Sequence, residues 1–74
     1  MDSLFSTSEL RTELVNRVRE RTGRRVRDLE VELLPQKVVL HGHATSYHIK
    51  QLAQHGVRDL LPHVELTNAI VVGS

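Results

Sequence analysis

Six arginines fall within eleven residues of this chain, Arg17, Arg19, Arg21, Arg24, Arg25 and Arg27, with Glu20 the one acid among them. Guanidinium groups at this density suit carboxylate, phosphate or an anionic lipid surface, where each charge near the surface contributes about 1 kcal/mol. Arg17, Arg21, Arg24, Arg25 and Arg27 are the candidate contacts: the first three share one side of a helix and the last two lie just beyond it. The plainer account is a set of solvated helix-end charges, with Glu13 and Glu20 each four residues ahead of an arginine. The histidines form a second set. His41 and His43 alternate on a strand, and His48 and His55 stand two turns apart on a helix. Imidazoles ligate zinc, but a site needs three or four converging ligands, and the chain has no cysteine and no H-E-x-x-H arrangement. His41 and His43 would need a carboxylate such as Glu30 or Glu32 to complete a metal site, so solvent-facing imidazoles are the simpler expectation and no cofactor is expected. The serines supply no third chemistry. None stands in a nucleophile-elbow context, and Ser46 with His48 and Asp59 reads as a helix cap with incidental neighbours. No glycine-rich phosphate loop is present, and no enzyme activity is expected.

Size and composition narrow the classes further. A chain of 74 residues makes one domain, and domains this small bury only about 60% of the surface of the unfolded chain. Phe5 and Tyr47 are the only aromatics, so the core must be aliphatic, and without cysteine no disulfide can reinforce it. A net charge of +1 argues against a dedicated nucleic-acid binder. No basic segment followed by an apolar run opens the sequence, and no stretch reaches the roughly 20 apolar residues of a membrane span. A cytoplasmic protein, or a domain excised from a longer one, is the expectation.

The elements that would hold these side chains follow from hydrophobic period. Residues 1–7 read as an arm carrying no pattern, and residues 8–74 as the domain. Ser6 and Glu9 have capping-box spacing, Leu10, Leu14 and Val18 recur every four residues with Val15 widening the stripe, and Gly23 suits the end of the helix. Leu29, Val31 and Leu33 then alternate with Asp28, Glu30 and Glu32 as a strand. Leu34-Pro35-Gln36-Lys37 makes the turn into a second strand, in which Val38, Leu40 and Gly42 share one face and Val39, His41 and His43 the other. This strand is the centre of the chain.

Thr45 or Ser46 caps a second helix, whose apolar side gathers Ile49, Leu52, Ala53, Gly56, Val57 and Leu60. Gly56 costs about 1 kcal/mol of propensity, which close approach of helix to sheet would offset; a break at Gly56 is the competing reading. Pro62 ends the segment, and Val64, Leu66, Ile70 and Val72 mark a last strand with Asn68 as a polar interruption in the same phase. The expected fold is therefore α+β, in the order α-β-β-α-β, with a three-stranded mixed or antiparallel sheet and both helices on one face.

Taken together, Leu10-Leu14-Val18, Leu29-x-Val31-x-Leu33, Val38-x-Leu40-x-Gly42 with the Ser/Thr-capped helix after it, and Asn68 inside the closing strand resemble the BON domain of bacterial envelope and osmotic-shock proteins. The likeness spans Leu10 to Val72. It departs from the family at the hairpin turn, where a glycine is usual, and at Leu61-Pro62-His63-Val64, where Pro-Gly-Val or Gly-Val is common. The resemblance implies a non-catalytic binding module that contacts a protein partner or an anionic phospholipid surface. It carries no fixed ligand residues to transfer. The alternative class is a KH-like binder of single-stranded nucleic acid, which shares the element order but needs a GXXG loop that this sequence lacks. A homodimer is a further expectation, through the uncovered sheet face or an unpaired edge strand.

Overall fold

A computed structural model of the chain describes residues 7–73. Helix α1 spans Thr7–Thr22 and buries Leu14 and Val18 completely, with Leu10 and Val15 packed at the margin of the core. Thr7 is its first helical residue, while Ser6 and its proposed cap lie outside the described residues. The helix ends as Gly23 predicts: Gly23 takes φ +63° and Arg24 φ +62°, the Arg24 amide donates to the Arg19 carbonyl at 3.0 Å, and the Gly23 amide donates to the Glu20 carbonyl at 3.4 Å. These paired bonds form a Schellman motif, which uses carbonyls that the helix end leaves without partners.

Strand β1 (Arg27–Leu34) and strand β2 (Lys37–Ala44) form the antiparallel hairpin, closed by Pro35 and Gln36 with Leu34 opposite Lys37. Pro35 falls in the turn, where its missing amide interrupts no ladder bond. Helix α2 (Tyr47–Leu60) follows, and Ser46 rather than Thr45 is its cap, the Ser46 Oγ accepting the Ile49 amide at 3.2 Å. Strand β3 (Glu65–Val72) returns parallel to β2, giving a mixed sheet in the order β1-β2-β3. A parallel neighbour requires a crossover, and α2 supplies it. Both helices cover one face. The core joins Leu14 and Val18 of α1, Val31, Val38, Leu40, Ala44 and Ile70 of the sheet, and Ile49, Ala53 and Val57 of α2, with Leu40 fully buried on the central strand.

Two glycines set the close approaches. α2 runs unbroken through Gly56, and the surface that approaches there is α1 rather than the sheet. A Cβ at Gly56 would stand 2.9 Å from the Val18 Cα, 3.1 Å from the Val18 nitrogen and 3.2 Å from the Arg17 carbonyl oxygen. Missing side-chain volume lets two helix backbones nearly touch, and that packing offsets the weak helix propensity of glycine. Gly42, at φ +153°, does the corresponding work in the sheet. The ladder shifts by one residue between Arg27 and Glu30, a bulge whose Asp28 takes φ +54°. The bulged chain folds over Gly42, where a Cβ would lie 2.7 Å from the Val26 Cγ1 and 3.0 Å from the Arg27 carbonyl oxygen.

Candidate functional site

The arginines expected to act together are separated: Arg17 and Arg21 lie between the helices, Arg25 and Arg27 at the end of the sheet, and Arg24 apart from both, beside Asn16, Arg19 and Glu20 at the end of α1. Arg21 forms a bidentate pair with Asp59 of α2, its Nε and Nη2 each donating at 2.7 Å to a carboxylate oxygen. Arg17 adds its Nη1 at 3.6 Å from the Asp59 Oδ2 and its Nε at 3.7 Å from the Glu20 Oε1. The hydrogen bonds from Arg21 hold the Asp59 carboxyl below the usual carboxylate range against an opposing desolvation, with Arg17 and His55 pulling the same way. The same bonds raise the Arg21 guanidinium. These two arginines staple the helices. The Glu13–Arg17 and Glu20–Arg24 pairs expected from spacing give way to this geometry: Arg17 reaches Glu20 and Asp59 instead, and Arg24 lies beyond the helix end at Thr22 with a positive φ.

Arg25 and Arg27 have no ion pair among the described residues, and they line an open cleft of about 470 Å³ at the end of the sheet. His43, Ala44, Thr45, Val71 and Gly73 complete it. The bulge accounts for the grouping. It places Arg27 opposite His43 in the ladder, and bulges characteristically redirect a side chain in this way. The floor is held by the Gly73 amide donating to the Ala44 carbonyl at 3.0 Å. The wall is the carboxyl ends of the parallel strands β2 and β3, the usual place for ligands in sheets with parallel crossovers. Among the described residues no carboxylate lines the cleft, and the Asp28 Oδ2 stands 3.8 Å from the His43 Nδ1. Apolar surface accompanies the charge, since Val71 is 57% exposed and Tyr47, two residues past Thr45 at the start of α2, is 63% exposed.

The remaining candidates are accounted for locally. His41 lies on the uncovered sheet face with its Nε2 3.2 Å from the Glu32 Oε1. Among the described residues no three His, Asp or Glu side chains converge as a metal would require. Ser46 serves as the α2 cap, and Asp59 is the partner of Arg21. Arg58 donates to the backbone carbonyls of Pro62 and Val64, tying the turn after α2. What sequence reasoning missed is the company Arg25 and Arg27 keep. Their place just beyond the first helix is legible, but the bulge that brings His43, Thr45 and Val71 alongside them has no signature beyond Gly42.

Among the described residues no helix is long and apolar enough to cross a membrane. Comparison with known protein families, curated proteins and solved structures finds no match for this chain.

Proposed function

We propose that the chain is a non-catalytic, BON-like binding module that docks on an anionic phospholipid surface through the rim formed by Arg25, Arg27 and His43. One observation carries this reading: the structure pairs Arg17 and Arg21 with Asp59 and leaves Arg25 and Arg27 without an ion pair among the described residues, beside exposed apolar residues. Basic groups with a little apolar surface suit the headgroup layer, at about 1 kcal/mol per charge. With so few charges and no insertion-prone aromatic cluster, attachment is peripheral and reversible. The α-β-β-α-β order supports the BON-like assignment, and the missing GXXG loop disfavours the KH-like one.

Co-sedimentation with phosphatidylcholine vesicles, with and without phosphatidylglycerol, tests the proposal. Binding is expected on anionic vesicles only, weakening as salt screens the contact. The R25A/R27A double variant should lose it and R17A should keep it. Absence of binding to anionic vesicles at low salt overturns the lipid reading and favours an acidic protein surface as the occupant. A shift of single-stranded RNA at low salt would favour the nucleic-acid alternative.

A further inference from the structure

The two edges of the sheet are defended differently. β1 carries the bulge at Asp28, with Glu30 and Glu32 along it, and bulges and charges are common means of discouraging a further strand. β3 has neither proline nor bulge, and its one charged residue is Glu65 at its start. Two of the exposed large apolar residues, Val71 at 57% and Val72 at 40%, stand at its far end.

Its backbone phase can be read from one bond. The Gly73 amide points inward to the Ala44 carbonyl of β2, so the odd-numbered residues of β3 face β2 and the backbone groups of Leu66, Asn68, Ile70 and Val72 face outward. The outward amide of Ile70 is nevertheless occupied. It donates to the Oδ1 of Asn68 at 3.2 Å, while the Nδ2 of Asn68 donates to the Lys50 carbonyl of α2 at 2.9 Å. The polar residue that interrupts the apolar phase of β3 therefore fills the middle of an open edge, and α2 holds it there.

We infer that the β3 edge is a latent pairing surface for a second copy of this chain, held shut by Asn68. The edge is self-complementary. In a two-fold antiparallel register centred on Ala69, Leu66 meets Val72, Asn68 meets Ile70 and Thr67 meets Val71 of the second copy. Outward-facing backbone groups then meet only outward-facing ones, no like charges oppose each other, and Val71 and Val72 gain neighbours. Glu65 falls opposite Gly73. The register needs the Ile70 amide for the Asn68 carbonyl of the second copy, and the Asn68 side chain already holds that amide. This inference does not rest on the lipid reading, although Val71 and Gly73 belong both to the pairing edge and to the arginine rim.

Multi-angle light scattering and hydrogen exchange test it together. The wild-type chain is expected to elute at its monomer mass, with the Ile70 amide exchanging more slowly than the outward amides of Leu66 and Val72. N68V frees the amide and should shift the mass toward twice the monomer value as concentration rises, and N68V/A69K should return it to monomer, because exposed residue 69 faces its own copy across the two-fold and the introduced charges would stand opposite each other. A folded N68V that stays monomeric overturns the inference, as does a wild-type dimer, or an N68V dimer indifferent to A69K. If N68V does not fold, the wild-type exchange rates decide: an Ile70 amide as fast as its outward neighbours means that Asn68 closes nothing.

Discussion

The helix seam and the strand-end rim both use arginine beside a glycine, with opposite results. At the seam, Gly56 brings α2 against the α1 backbone, and Asp59 then lies within reach of Arg17 and Arg21. Charge is consumed in holding the fold. At the rim, Gly42 admits the β1 bulge, and the bulge sets Arg27 opposite His43, while the bulge's own acid, Asp28, stands 3.8 Å from His43 and pairs with no arginine. Charge is left available. The difference lies less in residue type than in which backbone approaches the glycine: a helix whose acid, Asp59, reaches the arginines, or a bulged strand whose acid, Asp28, goes to His43 instead.

The seam should be the more fragile of the two. In G56A the new methyl meets only backbone atoms, at 2.9 to 3.2 Å, so relief requires moving one helix away from the other. Alanine gains about 1 kcal/mol of helix propensity over glycine, yet overpacking against backbone costs up to about 3 kcal/mol, and G56A should lower stability by about 2 kcal/mol in urea titration. A stabilised G56A would mean that the helices slide freely and that the seam does not fix Asp59.

G42A should cost less, about 1 to 2 kcal/mol, because one of its contacts is the movable Val26 side chain, although φ +153° and the Arg27 carbonyl at 3.0 Å leave alanine strained. Its diagnostic effect is functional. Displacing Arg27 should weaken binding to anionic vesicles while every rim charge remains in the sequence. Unchanged vesicle binding in a folded G42A would show that charge alone, without the bulge, makes the rim.

These two glycines also mark how far the sequence could be read. Element order, the Gly23 helix end, the Pro35 turn and the packing face of β2 follow from period and local chemistry, which act within a few residues. Gly56 was legible as a close approach, but its partner was not, since glycine records the absence of volume and not what fills the space. The five arginines looked like one patch because they are adjacent in sequence. Asp59, 38 residues from Arg21, divides them, and nothing local to either residue announces the pair. Asn68 stood out as a polar residue in an apolar phase, while its bond to Lys50 depends on where α2 crosses the sheet.

The smallest change in stability and the sharpest test of the comparison come from D59N. It leaves Arg17 and Arg21 without their shared anion, so the seam should resemble the rim: the melting temperature falls modestly, as expected for a solvent-accessible pair, and affinity for anionic vesicles rises. The pH dependence has a fixed sign. The folded carboxyl of Asp59 is depressed below its unfolded value, ordinarily about 3.9, so its contribution is complete above that pH and is lost as pH falls through the folded value. Wild-type and D59N melting temperatures should therefore differ near neutrality and converge under strong acid. Convergence already at neutral pH would mean that Asp59 contributes nothing to the seam. Unchanged vesicle affinity with the stability effect intact would locate lipid contact at the rim alone, because two freed arginines on the helices would then add nothing.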